Sequence, residues 1–442
     1  MESRTIPPPI YRPVSLTSYV SKIVEKIIHV KLLPHLNQFN IISDCQHGFL
    51  SRRSTTTNLL KCFNDLTSML DDSSKVDIMY IDLAKAFDSI SHEKLLYKLS
   101  CIGIGGNLHK WFASFLIGRS FSVKIDEVRS TYAPVGSGIP QGTILGPLLF
   151  ILFINNVSNV ISNSQIQLYA DDSKMYSRAN NIEQCTNFNN DIVCVNEWFK
   201  SWQLKINFDK CEVLHLGHNN LQYPYAINEN NIPAKEFCRD LGVCVDKKLS
   251  FDKHCLKIAC SSHYKAKLFF QSFTCHDIDL SVFLYTTYIR PLVESGTQVW
   301  SPYYVKDINI IENVQRRFTK FLPGLFNISY LERLRHLNLK TLEERRLAND
   351  IILVFKIIHG LVDIEFDHWF TFNINNTRGH SLKLNVNRSR LDIRKHFLCN
   401  RVIKMWNKLP ESVVSLTSLE KFKDSINSLD LRRYCRGRAF TS

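Results

Sequence analysis

Three aspartates lie beside short apolar segments, where acidic side chains are uncommon. Asp82 closes the segment VDIMYIDL (76–83), and Asp171 and Asp172 lie between the apolar arms of QIQLYADDSKMY (165–176). Taken singly, each position is typical of a solvated turn. If the two segments form neighbouring strands, three carboxylates converge, and divalent cations such as Mg²⁺ relieve their repulsion. Two such ions can stabilise the attacking and leaving oxygens of a phosphoryl transfer.

Hydrophobic spacing predicts the elements that would position these acids. Residues 76–83 predict a strand, and a helix should follow with Ser91 as its N-cap. The turn-rich segment GSGIPQGTILGP (136–147) precedes an apolar helix. Residues 165–176 predict a hairpin with a tight turn at Asp171 and Asp172. The sequence therefore predicts acids at a strand end and at a hairpin turn.

Flanking segments complete a mixed α and β pattern. Residues 202–216 predict a strand, a turn at 207–209 and a second strand, and 236–249 contain one more β-like piece. Beyond about residue 250 the spacing becomes helical. Near the N-terminus, residues 18–35 predict an amphipathic helix that ends at Pro34. The apolar residues on one face of that helix are Val20, Ile23, Val24, Ile27 and Ile28.

Length and composition exclude several classes of protein. The 442 residues are 45% hydrophobic and 22% charged, which is typical of a globular chain with two or three structural units. The longest apolar stretch (147–154) is far shorter than the roughly 20 residues of a membrane span, and the N-terminus lacks the pattern of a signal peptide. The 13 cysteines form no disulfide or zinc pattern. We therefore expect an intracellular protein, in the cytoplasm or nucleus, without a membrane partner.

The positive charge is concentrated in the second part of the chain. Residues 251–442 contain 30 Lys and Arg against 18 Asp and Glu, whereas the whole chain contains 55 against 41. A cationic region of this kind suits a phosphate-backbone partner, although general solubility explains it equally well.

The order of the motifs identifies a family. The segments RPVSLTSYVSKIVEKII, QHGFLSRRSTTTNLL, VDIMYIDLAKAFDSI, GIPQGTILGPLLF, YADD, LKINFDKCEVLHLG and LGVCVDKKLSF follow one another between about residues 11 and 249. They resemble the successive motifs of reverse transcriptases, particularly those of the jockey-like group of LINE-type (non-LTR) retrotransposons. The resemblance implies an α+β fold, the right-hand polymerase of fingers, palm and thumb. Residues 1–250 would form fingers and palm, with fingers truncated at the N-terminus, and residues 251–442 a basic helical thumb and C-terminal region.

The resemblance also assigns roles in catalysis. Asp82, Asp171 and Asp172 match the carboxylates that bind two Mg²⁺ ions, with Mn²⁺ as a substitute, and Lys210 matches the lysine that protonates the departing pyrophosphate. A solvated lysine is the alternative for Lys210. The implied reaction is attack of a primer 3′-OH on the α-phosphate of a dNTP.

A second set of residues would bind the nucleotide. Phe87 matches the steric gate against a ribose 2′-OH, although ordinary core packing is its alternative. Gln141 and Gly142 match the nucleotide pocket, although a plain turn would explain them too. Guanidinium groups suit phosphate oxygens, and the candidates for binding the triphosphate are Arg12, Arg52 and Arg53.

The sequence thus predicts an RNA-directed DNA polymerase that extends a DNA primer on an RNA template with dNTPs, and it indicates no specific protein partner. The main alternative is a catalytically silent, truncated remnant that retains nucleic-acid binding. An RNA-templated RNA polymerase shares the palm, but the aromatic Phe87 argues against it. A metal-dependent nuclease would not need the PQG segment.

Overall fold

A computed structural model describes residues 14–273, 277–373 and 379–437. The described residues form two compact units, each built from separate stretches of the chain. Among the described residues, the first unit comprises 14–51, Asp77–Val213 and Leu221–Ala234, and the second comprises Arg52–Val76, Leu214–Asn220, 235–273, 277–373 and 379–437.

The strands of the described residues are short, as is typical of a mixed fold. In chain order they are β1 (Val76–Ile81), β2 (Ser120–Phe121), β3 (Lys124–Ile125), β4 (Val128–Arg129), β5 (Ala133–Pro134), β6 (Gln165–Tyr169), β7 (Asp172–Arg178), β8 (Glu212–Leu216), β9 (Ala226–Ile227), β10 (Asn230–Asn231), β11 (Phe237–Asp240) and β12 (Val243–Asp246).

Helices alternate with these strands along the chain and dominate its later part. In chain order they are α1 (Tyr19–Gln38), α2 (Thr55–Asp71), α3 (His92–Cys101), α4 (Gly106–Leu116), α5 (Gly146–Ile154), α6 (Ile182–Ser201), α7 (Asp252–Ser272), α8 (Ile278–Leu284), α9 (Arg290–Glu294), α10 (Thr297–Trp300), α11 (Val305–Lys320), α12 (Tyr330–His336), α13 (Leu342–Ile358), α14 (Asp392–Lys395), α15 (Leu398–Arg401), α16 (Ile403–Trp406), α17 (Glu411–Val414) and α18 (Leu419–Ser428). The helical pattern expected beyond residue 250 is therefore confirmed.

A four-stranded sheet with the order β6-β7-β1-β8 carries the strands that were predicted to position the acids. β6 and β7 pair antiparallel, with Gln165 opposite Tyr176 and Tyr169 opposite Asp172. β1 is buried almost throughout because apolar side chains cover both of its faces. Asp77, an acid within β1, is fully buried and accepts a 2.6 Å hydrogen bond from the Tyr225 hydroxyl. Asp77 therefore belongs to the core.

The helices of the first unit follow the predicted pattern in two places. Ser91 caps α3, because its Oγ accepts a hydrogen bond of 3.4 Å from the Lys94 N–H. α5 follows the glycine-rich turn and is buried along almost its whole length, as expected for a helix whose residues are apolar on every side. Both helices pack into the hydrophobic core of this unit.

Most of the apolar face predicted for α1 is exposed, and of its residues only Ile28 packs against the described core. Val20, Ile23 and Ile27 are 71%, 61% and 58% exposed, and the helix buries Glu25 together with Leu32 and Leu36 near its C-terminal end. Pro34, predicted to end the helix, lies inside α1, which continues to Gln38. The spacing rule identified the helix but not the side that packs, because a buried carboxylate anchors the helix instead.

Two turn predictions require smaller corrections. The tight turn of the hairpin is formed by Ala170 and Asp171, so Asp172 is already the first residue of β7. The first strand expected in 202–216 is absent from these described residues. α6 extends to Ser201, and Ile206 makes only an isolated bridge to Leu83. The β-like piece in 236–249 is a hairpin of two strands, β11 and β12.

The second unit has its own helical core with buried polar groups. α7 packs on α11, and α11 also contacts α13. A buried chain of hydrogen bonds runs from the Tyr285 hydroxyl through Gln315 and Tyr330 to the Glu312 carboxylate, with distances of 3.1, 3.0 and 2.5 Å. These polar groups satisfy one another away from water. No helix in the described ranges is long and apolar enough to cross a membrane.

Candidate active site

Asp82 lies immediately after β1, and backbone contacts with a distant segment fix its position. The Asp82 carbonyl accepts a 2.8 Å hydrogen bond from the Asn207 N–H, and the next residue, Leu83, bridges Ile206. The Asp82 side chain is 33% exposed. The strand end thus presents a partly solvated carboxylate, as the sequence predicted.

The turn that carries Asp171 is held by a segment far away in sequence. The buried Gln46 side chain accepts hydrogen bonds through Oε1 from the Ala170 N–H at 3.0 Å and from the Gly48 N–H at 2.7 Å. Ala170 has a positive φ of 55°, which is unusual for a residue with a Cβ. Gly48 packs so closely that an added Cβ would lie 2.5 Å from the Ala170 nitrogen. Residues 46–48 therefore brace the turn.

Gln46 is a functional candidate that the residue-by-residue reasoning missed. Its segment, QHGF, was recognised only as part of a family motif. The one local signal was a polar residue followed closely by a glycine, which is too common to identify a brace. The contact became visible only when the fold brought residue 46 to residue 170, with Gln46 paired beside Leu168 in an isolated bridge.

The strand order places the carboxylates on neighbouring strands. β7, which begins with Asp172, is hydrogen-bonded to β1, which ends one residue before Asp82. Asp171 is half-buried and Asp172 is exposed. Among the residues that the structure describes, no three Asp, Glu, His or Cys side chains form a ready-made metal site. The oxygen donors nevertheless fit Mg²⁺ by chemistry, because hard divalent cations select carboxylates.

Lys210 lies beside Asp82. A short 3₁₀ turn, Phe208–Lys210, follows Asn207, and it brings the Lys210 Nζ to 3.4 Å from Asp82 Oδ2. The Lys210 side chain is 66% exposed, so this ion pair contributes little to stability by itself. The ion pair matters for its position, because it brings an exposed cation next to a predicted metal ligand.

Phe87 packs against the helix that follows the glycine-rich turn. Its ring stacks on Phe150 of α5 with centroids 4.2 Å apart and an angle of 14° between the planes. The Phe87 carbonyl accepts a 2.9 Å hydrogen bond from the Ile139 N–H. The half-buried ring is therefore fixed by α5 on one side and by the turn's backbone on the other, which gives it a defined position.

The PQG turn is held from two sides. Gln141 Nε2 donates a 2.9 Å hydrogen bond to Asp88 Oδ1, and the Gln141 carbonyl accepts a 2.8 Å hydrogen bond from the Ser15 N–H. Gly142 has φ +98°, and a Cβ there would lie 3.1 Å from the Ser15 carbonyl oxygen. The turn thus requires glycine at 142 for its backbone conformation and for the close approach of residue 15.

A buried carboxylate fixes the start of α5 just after that turn. Glu25 of α1 is fully buried, and its Oε2 accepts hydrogen bonds from the Ile144 and Leu145 N–H groups at 2.7 and 3.1 Å. These donors lie at the N-terminus of α5, where helical N–H groups lack internal partners and negative charge is favoured. Glu25 was not predicted from the sequence because it looked like an ordinary exposed residue of an amphipathic helix.

Two of the three arginine candidates belong to the second unit. Arg12 lies outside the described residues. Arg53, in the second unit, forms an ion pair with Asp363 and its side chain is 12% exposed. Arg52 is exposed with a positive φ of 65°, and its carbonyl accepts a 3.0 Å hydrogen bond from the Asp363 N–H. Their role at a triphosphate remains a prediction.

Comparisons with known proteins agree with the motif order. A family model described as "Reverse transcriptase (RNA-dependent DNA polymerase)" matches residues 7–251. The chain is 25% identical over 328 residues to the RNA-directed DNA polymerase from mobile element jockey of Drosophila melanogaster, covering 71% of this chain and 36% of that protein. It is 26% identical over 326 residues to the probable RNA-directed DNA polymerase from transposon X-element of the same species, covering 72% of this chain and 36% of that protein.

The chain therefore spans just over a third of the length of these two curated relatives. Among solved structures, telomerase from Candida albicans in complex with a fragment of telomeric RNA aligns with a TM-score of 0.43 and 13% sequence identity. That alignment covers 73% of this chain and 59% of the telomerase chain.

Proposed function

The chain belongs to the reverse transcriptase family, and we propose that it acts as the RNA-directed DNA polymerase of a non-LTR retrotransposon. Its mixed helix-and-sheet architecture is the right-hand polymerase fold of that family, so the predicted fold class is confirmed. The proposed partners are an RNA template, a DNA primer and dNTPs. We place the fingers and palm within residues 1–250 and a helical thumb and C-terminal region in 251–442.

One observation carries this proposal. The Lys210 Nζ lies 3.4 Å from Asp82 Oδ2, and β1, which ends one residue before Asp82, is the neighbour of β7, the strand that begins with Asp172. Carboxylates and an exposed cation are the groups that nucleotidyl transfer requires. The carboxylates suit metal ions, and the cation suits a leaving pyrophosphate.

Different residues of this chain would bind the metal ions and donate the proton in nucleotidyl transfer. Asp82, Asp171 and Asp172 would bind two Mg²⁺ ions, or Mn²⁺ in their place, which would supply charge stabilisation to the attacking and leaving oxygens. Lys210 would donate a proton from Nζ to the departing pyrophosphate, since it is exposed and able to reorient.

The nucleotide would be selected by the turn and the ring beside it. Phe87, fixed by its stacking on Phe150, would collide with a 2′-OH and so favour deoxynucleotides. The Gln141 side chain, held by Asp88, would contact the sugar-phosphate, and Gly142 would allow close backbone approach. For the triphosphate we propose Arg12 together with Arg52 or Arg53, whose guanidinium groups suit phosphate oxygens.

Primer extension tests the proposal. A labelled DNA primer annealed to an RNA template is incubated with the chain, dNTPs and Mg²⁺, in parallel with the double variant Asp171→Asn/Asp172→Asn. Asp126→Asn is the matched control, because Asp126 is an exposed aspartate in a turn with a positive φ that Asn also accepts. Extension by the wild type and the control, but not by the double variant, supports an RNA-directed DNA polymerase. Extension with rNTPs alone would indicate an RNA polymerase instead.

The silent-remnant alternative predicts a different result in the same experiment. It predicts no primer extension by the wild type or by any variant, although all of them still bind an RNA–DNA duplex. Duplex affinity measured from 50 to 200 mM salt would then show whether the basic residues of 251–442 bind the backbone, because neutralising phosphates releases counterions. A flat response to salt would exclude backbone binding.

We propose an intracellular location, in the cytoplasm or nucleus, where such a template would be found.

A further inference from the structure

A cavity in the second unit has a cationic lining that the proposed polymerase reaction does not use. It has a volume of about 140 Å³ and is bordered by α13, α16 and the segments around His396 and Tyr434. One water molecule needs only about 10–15 Å³ on the same scale. The cavity therefore has room for a polyatomic group. The side chains that matter here are those of Arg346, Tyr434, Lys404 and Arg436.

Arg346, on α13, is the central feature of the lining. The residue is 1% exposed, yet among the residues that the structure describes neither of its terminal guanidinium nitrogens, Nη1 and Nη2, has a hydrogen-bond partner. A buried guanidinium without partners is costly, because water no longer satisfies its N–H groups. A group with several acceptor oxygens in the cavity would remove this cost.

Arg401, which also lines the cavity, has hydrogen-bond acceptors for all its guanidinium nitrogens. Its Nε and Nη2 donate hydrogen bonds of 2.8 Å to both oxygens of Asp350, and its Nη1 donates to the His396 carbonyl at 3.1 Å. Arg401 is therefore occupied by structural contacts. Arg346, by contrast, is a buried lining arginine whose terminal nitrogens lack acceptors among the described residues.

A second polar group of the lining is also unsatisfied. The Tyr434 Oη is buried and has no hydrogen-bond partner within the described part of the chain, although Tyr434 is only half-buried as a residue. A phenolic hydroxyl can donate one hydrogen bond. Tyr434 therefore supplies a further donor for an anion that contacts Arg346.

The charges around the cavity favour an anion over a cation. Lys404 and Arg436 are exposed and border the cavity, and Glu343 is the acid among the lining residues. Glu343 is itself occupied, because its two oxygens accept hydrogen bonds from the Arg436 and Gly437 N–H groups at 2.7 and 2.9 Å. The net charge of the lining is positive.

Two buried carboxylates lie close enough to Arg346 to sense its charge. The guanidinium lowers the pKa of Glu312 and of Asp350, although burial raises both overall. Glu312 accepts from the Tyr330 hydroxyl at 2.5 Å, and Asp350 accepts from Arg401. Both carboxylates therefore offset the positive charge of Arg346, while their oxygens accept hydrogen bonds from other groups. The terminal N–H groups of Arg346 thus remain available to a ligand.

We propose that this cavity is a binding site for a phosphate group. A tetrahedral oxyanion offers acceptors in several directions, which matches the two terminal nitrogens of Arg346, the Tyr434 hydroxyl and the Lys404 ammonium. The phosphate belongs either to a nucleic-acid strand or to a small phosphorylated molecule. The proposal does not depend on the polymerase activity, because every residue in it belongs to the second unit.

Calorimetric titration of the full chain with inorganic phosphate tests the site. The account predicts saturable binding that falls at least about tenfold in Arg346→Met and in Tyr434→Phe, since each change removes donors to a charged group. Tyr434→Phe deletes one hydroxyl and is the variant least able to disturb folding. Tyr264→Phe, an exposed tyrosine of α7 outside the lining, is its matched control and should bind like the wild type.

A second pair of variants keeps the test independent of Arg346. Lys404→Ala should weaken phosphate binding, whereas Lys421→Ala, an exposed lysine of α18 outside the cavity, should not. Absence of saturable phosphate binding, or equal affinity in Tyr434→Phe, Lys404→Ala and their controls, would overturn the proposal. Competition then separates the two sources of the group. Displacement of phosphate by an oligothymidylate that lacks terminal phosphates indicates that the site binds the phosphates of a strand. Displacement by a mononucleotide but not by this oligothymidylate indicates a small phosphorylated ligand.

Discussion

Gln141 Nε2 donates a 2.9 Å hydrogen bond to Asp88 Oδ1, so the side chain proposed to contact the nucleotide is positioned by an acid one residue after the proposed steric gate. The backbone of the same acid lies against Gly138, three residues before Gln141. Gly138 packs on the Asp88 backbone so tightly that a Cβ would lie 2.7 Å from its carbonyl oxygen. The segment 87–88 and the PQG turn therefore form one positioned unit.

This relationship predicts the effect of Asp88→Ala on nucleotide binding. Without the acceptor the Gln141 amide becomes mobile, so we expect the KM for dNTP to rise about fivefold to tenfold with a smaller change in kcat. Steady-state kinetics on an RNA template measure both constants, with Asp126→Ala as the control.

The double variant Asp88→Ala/Gln141→Ala separates positioning from direct contact. If Asp88 acts through Gln141, the double variant should be no worse than Gln141→Ala alone, because residues that act as a unit are not additive. A full additive loss would show that Asp88 contributes in some other way.

Phe87→Val tests the proposed selection of the sugar. A smaller side chain leaves room for a ribose 2′-OH, so the efficiency of rNTP relative to dNTP incorporation should rise at least about tenfold, equivalent to roughly 1.4 kcal/mol of lost discrimination. Single-nucleotide incorporation measures the ratio. Phe150→Leu removes the ring on which Phe87 stacks but keeps the Phe87 side chain itself. An unchanged ratio in Phe87→Val would identify Phe87 as ordinary core.

Glu25→Gln tests the buried cap of α5. The amide loses the negative charge at the helix N-terminus and one of the two acceptor oxygens, so stability should fall by about 1–2 kcal/mol. Hydrogen–deuterium exchange should show lost protection in α5. The matched control is Glu93→Gln, an exposed acid in the first turn of α3, with an expected change below about 0.5 kcal/mol. Equal effects of the two substitutions would contradict the proposed role.

Lys98 makes stability depend on pH. The residue is 7% exposed, its Nζ donates to the Phe153 carbonyl and to Asn156 Oδ1, and burial lowers its pKa to about 7. In the unfolded chain the lysine has a pKa near 10.4. Between about pH 7 and 10 the unfolded chain therefore binds a proton at this lysine that the folded protein does not. Stability should therefore rise with pH from about 7 to 10, by up to about 1.4 kcal/mol per unit.

Denaturant unfolding of the wild type and Lys98→Met at pH 6, 7.5 and 9 measures this slope. The wild type should gain stability relative to Lys98→Met as the pH rises. The Trp202 ring lies 3.8 Å from the Lys98 Nζ and favours the charged form. Parallel curves for the two proteins would mean that this aromatic contact keeps the lysine protonated at all three pH values.

The sequence predicted the elements better than their contacts. The strand before Asp82, the hairpin of Asp171 and Asp172, and the helix capped by Ser91 follow from local spacing, and the structure contains all three. The packing side of α1 did not follow, because Glu25 is buried by two N–H donors that lie 119 and 120 residues away. Long-range contacts of this kind leave no local signal.

In the candidate site, too, individual residues could be predicted from the sequence but their long-range contacts could not. Asp82, Lys210 and Gln141 were chosen by their motifs, and the structure supplied the distances that relate Asp82 to Lys210. Gln46 and Asp88 were missed because each acts through another residue's backbone or side chain. Gln46 is 124 positions and Asp88 is 53 positions from the residue that it holds, and contacts between residues this far apart in sequence can be recognised only after folding.

The central claim is that Asp171 belongs to the catalytic carboxylates of an RNA-directed DNA polymerase. The most direct measurement is the rate of single dNTP incorporation on an RNA template by Asp171→Asn, compared with the wild type and Asp126→Asn. The account predicts a loss of at least about a hundredfold in Asp171→Asn, equivalent to roughly 2.7 kcal/mol of barrier, and none in the control. Near-normal incorporation by Asp171→Asn would contradict it.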